Sequence, residues 1–382
     1  MPLAADKLRA WAEVDLGQLE RNLANIRAAL PPHLRYVAVI KADAYGHGST
    51  AVATRLMRAG ADLFAVANID EAAALREIGS GWPILILSAV LPSERPEVFA
   101  HNVTPTVSSA EEVRAFAEEA RARGHALGVH LKIDTGMGRL GIWHGEAGAL
   151  AAEIRSHKSL RLEGVYTHFA CADSDAAVTA EQRGRFLHCL NEAGLARTPG
   201  LLIHADNSAG IDSFPRGGPF NGARVGLLQF GVRPYAGSFL ADVAVEPVFS
   251  FHARVALVKS LPAGTPVSYG HTHTLRRTSR LAILAAGYAD GIPTRMSNRG
   301  RVLIHGYECP VVGRVTMDQT LVDVTDLPRS AVPGDTATLI GVQEGARLTV
   351  EDFAAAADQI PWETFCSISK RVRRIYRIDS AL

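Results

Sequence analysis

Lys41 stands where an apolar run of the chain gives way to a loop with two glycines. The run Tyr36–Ile40 ends directly before Lys41, and Gly46 and Gly48 follow shortly after it. A lysine that is removed from water loses its proton readily, and the neutral amine can form a Schiff base with an aldehyde. A lysine at a strand end can also simply extend into solvent. Lys41 is therefore a candidate attachment point for an aldehyde cofactor, with the solvent-facing lysine as the alternative.

Other polar residues follow later apolar runs in the same way. They are Lys132, Asp134, Arg139, His168, Asn207, Ser208, Arg224 and Gly226. Charged side chains at buried strand ends are costly unless they are paired or used in a reaction. The backbone N–H groups of the segment 224–227 are placed to bind an anion after the last run, where barrel proteins often bind a phosphate. Together these positions indicate a phosphorylated cofactor held by a lysine.

Eight short apolar runs alternate with longer amphipathic stretches and carry these residues. Ala110–Arg123 is a predicted helix with Ser109 as its N-cap, and Thr179–Glu192 is another. Eight buried parallel strands with intervening helices favour an N-terminal (β/α)8 TIM-type barrel, and an open doubly wound sheet is the alternative. The predicted strands are Tyr36–Ile40, Leu63–Val66, Ile84–Leu87, Val103–Val107, Leu127–Ile133, Leu162–Thr167, Leu201–His204 and Ala223–Val225.

After about residue 240 the pattern changes to β-branched runs separated by Gly and Pro, which predicts a mainly β-strand domain. One helix, Val350–Asp358, is expected within it. We expect residues 1–14 to contribute a strand to this domain, residues 15–240 to form the barrel, and residues 241–382 to form the β-rich domain. Trp11, Trp82 and Trp143 are expected in the core or at an interface.

The composition limits the partners that this chain can have. The 40 basic and 39 acidic residues leave a net charge of +1, and no apolar run is long enough to span a membrane. Neither a nucleic acid nor a membrane surface is expected to bind, and we expect a cytoplasmic protein with reduced cysteines. His271 and His273 lie beyond the eight predicted strands, so no metal site is expected.

One motif and six ordered landmarks that follow it over almost the whole chain closely resemble those of alanine racemases. The motif is Val39-Ile40-Lys41-Ala42-Asp43-Ala44-Tyr45-Gly46-His47-Gly48. The landmarks are Lys132-Ile133-Asp134-Thr135-Gly136-Met137-Gly138-Arg139-Leu140-Gly141, Tyr166-Thr167-His168-Phe169, Asn207-Ser208, Val267-Ser268-Tyr269-Gly270, Gly287-Tyr288-Ala289-Asp290-Gly291 and Met317-Asp318-Gln319. The resemblance implies a barrel followed by a β-domain, in a homodimer whose active sites combine both chains. It also implies pyridoxal 5'-phosphate as the cofactor and an amino acid as the substrate, with production of D-alanine for peptidoglycan.

The resemblance further implies a role for each matching residue. Lys41 holds the cofactor and moves the α-proton on one face of the substrate, and Tyr269 of the partner subunit acts on the other face. His168 and Arg139 form the surroundings of that phenol, and Arg224 faces the pyridine nitrogen. The remaining implied positions are phosphate contacts at Tyr45, Ser208, Gly226 and Leu227, substrate contacts at Arg139 and Met317, a carbamylated or simply ion-paired Lys132, and an entrance at Tyr288 and Asp173.

Trp362 departs from the pattern, because the family usually has a tyrosine there that bonds the phosphate and narrows the entrance. Indole has an N–H donor and greater bulk but no hydroxyl. The substitution keeps a racemase of wider range, acting for example on serine, as an alternative. A non-catalytic pyridoxal-phosphate-binding protein and a related barrel decarboxylase are further alternatives, although Tyr269 argues against the first and Met317-Asp318 against the second.

Overall fold

The computed structural model describes residues 7–208, 218–233 and 240–378. In chain order the strands are β1 (Ala10–Asp15), β2 (Arg35–Val39), β3 (Leu63–Val66), β4 (Ile84–Ile86), β5 (Thr104–Val107), β6 (Leu127–Asp134), β7 (Ile142–Trp143), β8 (Leu160–Tyr166), β9 (Leu202–His204), β10 (Gly222–Val225), β11 (Phe249–Leu261), β12 (Pro266–Val267), β13 (His273–Thr274), β14 (Ser279–Leu284), β15 (Arg301–Ile304), β16 (Tyr307–Pro310), β17 (Thr320–Asp323), β18 (Thr336–Gln343), β19 (Ala346–Leu348) and β20 (Arg373–Arg377). The helices are α1 (Leu16–Ala29), α2 (Lys41–Tyr45, a left-handed turn), α3 (Ser49–Ala59), α4 (Ile69–Ile78), α5 (Arg95–Ala100), α6 (Ala110–Ala122), α7 (Ala147–Ser156), α8 (Ala176–Glu192), α9 (Val350–Ala356) and α10 (Pro361–Ser367).

The chain forms two compact units. The first comprises residues Met1–Gln18, Tyr45–Gly48 and Pro247–Leu382, and the second comprises Leu19–Ala44 and Ser49–Glu246. We refer to them as the β unit and the barrel unit.

The barrel unit contains a parallel sheet in the order β10-β2-β3-β4-β5-β6-β8-β9. Its two end strands meet at a seam where the Asn221 N–H donates to the Ile203 carbonyl at 3.1 Å and the Arg224 N–H donates to the Asp206 carbonyl at 3.1 Å. Every residue of β3, β6 and β10 is buried, as expected for strands covered on both faces. The predicted (β/α)8 architecture is confirmed.

The helices around this sheet agree with the predictions less closely than the strands. Helix α6 begins as predicted, because the Ser109 hydroxyl accepts from the Glu112 N–H at 3.2 Å. The other predicted helix corresponds to α8. Its predicted start at Thr179 is wrong, since α8 begins at Ala176. The Asp175 carboxylate caps it by accepting from the N–H groups of two residues in its first turn. A carboxylate at this position also complements the helix dipole.

The β unit is built on a sheet in the order β16-β15-β18-β11-β1-β20, with β14 and β17 continuing from β11. Strand β1 pairs antiparallel with β11 and parallel with β20, so the N-terminal segment lies in this unit. The mainly β-strand domain predicted after the barrel is confirmed. Two helices, α9 and α10, lie between β19 and β20 instead of the single one predicted, because Pro361 begins the second helix.

Candidate active site

Lys41 is separated from the end of β2 by one residue, Ile40, and begins the left-handed turn α2 with its side chain half-buried. The Ala44 N–H donates to the Ile40 carbonyl at 2.9 Å, which closes the turn against the end of the strand. The amine is thus carried by backbone that is tied to the barrel sheet. The sequence predicted this position of Lys41 at the end of a barrel strand, and the reactivity of its amine stays a prediction.

Lys132 is buried on β6 among other cations. Burial and the nearby charges of Arg224, Arg139 and Lys41 lower the pKa of Lys132 to about 8. Its ammonium nitrogen lies 5.3 Å from the ring centre of Tyr166. A lysine with this pKa is neutral far more often near neutral pH than a lysine in water.

Asp134, two residues after Lys132 on β6, forms no ion pair with Lys132 among the described contacts. One carboxylate oxygen of Asp134 instead accepts from the N–H groups of Gly136, Met137 and Gly138, at 2.9, 2.9 and 3.2 Å. These bonds hold the pKa of Asp134 below its usual value against the opposing effect of burial. Asp134 therefore shapes the loop that leads to Arg139, and Arg139 itself is exposed.

Arg224 is buried near the end of β10, and its hydrogen bonds to the described residues all end on neutral acceptors. Its Nη1 donates to Nδ1 of His204 at 3.0 Å, and its Nη2 donates to Nδ1 of His168 at 3.2 Å. The same two nitrogens also donate to the backbone carbonyls of residues 167, 204 and 205. Burial lowers the pKa of Arg224 to about 10, which leaves it charged at neutral pH. These hydrogen bonds fix the orientation of the guanidinium plane.

The histidines around Arg224 are kept neutral. Burial and the adjacent charge of Arg224 lower the pKa of His168 to about 2 and that of His204 well below its ordinary value. Because His204 accepts from Arg224 at Nδ1, its proton lies on Nε2, which faces Nδ1 of His130 at 3.2 Å. Burial lowers the pKa of His130 to about 3. The result is a directed chain of hydrogen bonds from Arg224 through His204 to His130.

Neither His130 nor His204 was identified as a functional residue from the sequence. His130 lies two residues before Lys132, so the two side chains share one face of β6 by the period of a strand. That spacing was the available signal for His130. For His204 no local pattern indicates the contact, because it depends on the closure of the barrel.

Two of the predicted phosphate contacts lie together. The Gly226 N–H donates to the Ser208 hydroxyl at 2.8 Å, and Gly226 precedes a short 3-10 turn, Leu227–Phe230. A hydroxyl and the free N–H groups of a turn are a common way to bind an anion. The structure therefore brings Ser208 and Gly226 together, with Leu227 next to them in the chain.

The β unit carries the remaining predicted residues. Tyr269 is 72% exposed, and the preceding Ser268 hydroxyl donates to the Arg314 carbonyl at 2.6 Å. The loops that contain Tyr288 and Met317 are joined, since the Tyr288 N–H donates to the Thr316 carbonyl at 2.9 Å. These loops leave both side chains exposed.

Trp362 lies in the first turn of α10 and is 41% exposed. Asp173 is exposed in the turn before α8. Trp11 is buried, whereas Trp143 is 52% exposed and so is not a core residue of this chain. Within the described ranges, no group of three or more metal-ligating side chains is assembled, and no helix there combines the length and apolarity needed to span a membrane.

Family models match both units of the chain. One described as the N-terminal domain of alanine racemase matches residues 14–234, and one described as its C-terminal domain matches residues 248–376. The chain belongs to the alanine racemase family. This confirms the resemblance that the sequence motifs indicated.

Individual alanine racemases match over nearly their full length. That of Symbiobacterium thermophilum is 41% identical, covering 97% of this chain and 98% of its own, and that of Halothermothrix orenii is 38% identical, covering 96% of each. The alanine racemase structure from Clostridium difficile 630 has a TM-score of 0.89 at 33% identity, covering 98% and 97%. The structure from Bartonella henselae, described with covalently bound pyridoxal phosphate, has a TM-score of 0.86 at 28% identity, covering 97% and 99%.

Proposed function

We propose that this chain interconverts L- and D-alanine with pyridoxal 5'-phosphate held covalently by Lys41. The observation that carries the proposal is the group of residues at the strand ends of the barrel. There Lys41 lies near enough to the buried Lys132 to help lower its pKa, beside Arg224, whose hydrogen bonds to the described residues end on neutral acceptors. Such a group fits an aldehyde cofactor with an anionic phosphate, because it supplies a primary amine and several cations.

The cofactor, when bound, supplies a conjugated ring that withdraws electrons and so acidifies the α C–H bond of the amino acid. Inversion of that carbon requires proton removal on one face and delivery on the other. We assign the first face to the Lys41 amine and the second to the phenol of Tyr269 from the partner subunit in a homodimer. The high exposure of Tyr269 in a single chain supports its use by a second chain.

Arg224 is proposed to face the cofactor ring nitrogen. Its pKa of about 10 means that it keeps its proton at working pH, so it donates a hydrogen bond without transferring the proton. A ring nitrogen that stays unprotonated withdraws electrons less strongly, which favours simple proton exchange over side reactions. Ser208, Gly226 and Leu227, with Tyr45 and Trp362, are the proposed contacts of the phosphate.

The substrate carboxylate is assigned to Arg139 and to the backbone N–H of Met317, through charge-assisted hydrogen bonds. Lys132 is proposed to carry a carbamate. Carbon dioxide reacts with the neutral amine, and the pKa of about 8 makes that form accessible, while Arg139 and Arg224 would stabilise the resulting anion. The carbamate would in turn orient Arg139, next to the neutral His168. Tyr288 and Asp173 are proposed to line the entrance.

The proposal is tested by racemisation of L-alanine by the purified protein with added cofactor. We expect D-alanine to form with α-deuterium when the reaction runs in D₂O. Tyr269→Phe should reduce the rate by about 100-fold or more, the usual contribution of a positioned acid or base. Tyr307→Phe, which removes another exposed phenol of the same unit, is the matched control and should be unchanged. Equal rates for the two variants would contradict the assignment of Tyr269.

Trp362 favours a second candidate, a racemase of wider range, because indole differs in size and hydrogen bonding from the usual tyrosine. Assays with both enantiomers of serine and lysine separate the two candidates. Serine turnover equal to or faster than alanine turnover would replace the alanine assignment. Binding of the cofactor without any turnover would indicate a carrier protein, and release of carbon dioxide would indicate a decarboxylase. We place the enzyme in the cytoplasm, supplying D-alanine for peptidoglycan.

A further inference from the structure

The backbone after Lys41 adopts a conformation that ordinary residues avoid. Ala42, Asp43, Ala44 and Tyr45 have φ values of 52°, 55°, 53° and 53°, so four consecutive residues other than glycine are left-handed. Each such residue brings its Cβ close to a carbonyl oxygen, at a cost that a chain normally avoids by using glycine. A run of four persists only where surrounding contacts determine it.

Glu71 supplies those contacts at the beginning of the turn. One oxygen of its carboxylate accepts from the Ala42 N–H at 2.8 Å, and the other accepts from the Ala67 N–H at 2.8 Å. Ala42 and Ala67 follow the neighbouring parallel strands β2 and β3. The carboxylate thus joins the ends of two strands and fixes the first peptide after Lys41.

The middle of the turn is also tied to the barrel unit. The Asp43 carboxylate accepts from the Ser49 N–H at 2.7 Å, at the first residue of helix α3. A carboxylate at this place both satisfies an N–H group of the helix and complements its dipole. Within the barrel unit the turn is therefore held at Ala42 and at Asp43.

The residues that follow the turn are held within the β unit. Arg374 Nε donates to the Gly46 carbonyl at 2.9 Å, and its other nitrogens donate to three carbonyls of the segment 368–372. The His47 ring packs between Phe249 and Phe365, with centroid distances of 5.0 and 4.8 Å. A Cβ on Gly46 would lie 2.4 Å from the Phe365 carbonyl oxygen, so this position has no room for a side chain.

We propose that Glu71 and Arg374 are positioning residues: within the barrel unit Glu71 sets where the Lys41 amine is presented to the cofactor, and within the β unit Arg374 sets where the Tyr45 hydroxyl is presented. The inference rests on the proposed function of Lys41. Neither residue is assigned a contact with the cofactor or the substrate. Glu71 acts through the N–H of the peptide that follows Lys41, and Arg374 acts through the carbonyl of Gly46, the residue after Tyr45.

Glu71→Gln is the sharpest test, because it keeps the size of the side chain but leaves one carbonyl acceptor for two N–H donors. Asp70→Asn is its matched control, since Asp70 is exposed in the same first turn of α4. We expect Glu71→Gln to speed hydrogen exchange at the amides of Ala42 or Ala67 by about tenfold in the cofactor-free protein, with other barrel amides unchanged. Asp70→Asn should leave both amides at the wild-type rate.

The same variants are then titrated with pyridoxal 5'-phosphate. Glu71→Gln should raise the half-saturating concentration by about tenfold, and Arg374→Lys, which keeps the charge but loses the fork of donors, should raise it as well. Wild-type exchange and wild-type affinity in Glu71→Gln would overturn the proposal, and so would faster exchange spread evenly over the barrel. The exchange measurement needs neither cofactor nor turnover, so it remains decisive if the proposed racemase activity fails.

Discussion

Gly164 on strand β8 provides a prediction that can be worked from distances. A Cβ added at this position would lie 2.4, 2.5 and 2.6 Å from Cε1, Nδ1 and Nε2 of the His130 ring. Carbon atoms in contact normally lie about 3.5–4.0 Å apart. In Gly164→Ala the imidazole must therefore move by about 1 Å. That movement breaks the 3.2 Å hydrogen bond with His204.

The expected cost combines two effects. Overpacking of a filled core costs about 1–3 kcal/mol, and leaving the buried His204 donor without its acceptor costs about 1–3 kcal/mol more. We therefore expect Gly164→Ala to lower the free energy of unfolding by about 4 kcal/mol. The measurement is equilibrium urea unfolding, followed by circular dichroism, of the cofactor-free protein.

Gly148→Ala is the matched control, because Gly148 is exposed on helix α7 and a Cβ there meets nothing within 4 Å. It should be neutral or stabilising by up to about 1 kcal/mol. In a His130→Ala background the clash is absent, so Gly164→Ala should then cost less than about 1 kcal/mol. Additive effects of the two substitutions, or a Gly164→Ala protein as stable as the wild type, would refute this explanation of the glycine.

Three further predictions concern pH, modification and the atypical tryptophan. His130 and His204 stay neutral when folded but take up protons below pH 6.5 when unfolded. Stability in urea unfolding should therefore fall as the pH is lowered below 6.5. His130 and His204 together contribute about 4 kcal/mol to the fall between pH 7.5 and 5, and His168, whose pKa is also lowered, adds to it. A flat profile would contradict the burial of these histidines as neutral groups. In ¹³C NMR spectra recorded with ¹³C-bicarbonate, a carbamate resonance should appear for the wild type and be absent for Lys132→Arg. Absence of the resonance from both proteins would exclude the modification. Trp362→Tyr should tighten cofactor binding by roughly threefold to tenfold, the value of one hydrogen bond. Trp362→Phe, which has no hydroxyl, should not tighten it. Equal cofactor affinities of the two variants would count against a phosphate contact at this position.

The strands of the barrel could be predicted because each is buried on both faces and therefore forms a short apolar run. Helix starts were less predictable. Asp175 is a good capping residue, but the alanines that follow it in the sequence, Ala176 and Ala177, carry no amphipathic signal, so the predicted start moved to Thr179. Pro361 marked the beginning of helix α10, yet no capping side chain precedes it.

The residues of the candidate site that could be predicted are those at the ends of barrel strands. Lys41, Lys132, His168 and Arg224 were found in this way, because parallel strands bring their carboxyl ends to one rim. The hydrogen bonds from Arg224 to His204 could not be found, since they join residues whose contact depends on barrel closure. The left-handed turn also could not be predicted, because only Asp43 of its four left-handed residues is of a type that adopts this conformation readily, and then as a single residue.

The central claim is that the amine of Lys41 carries the cofactor. It is tested most directly by incubating the purified protein with pyridoxal 5'-phosphate, reducing it with borohydride and mapping the pyridoxyl group by mass spectrometry. We expect one labelled lysine, Lys41, and loss of alanine racemisation in proportion to the label. Label on Lys132 instead, or no label in a preparation that still racemises alanine, would contradict the account.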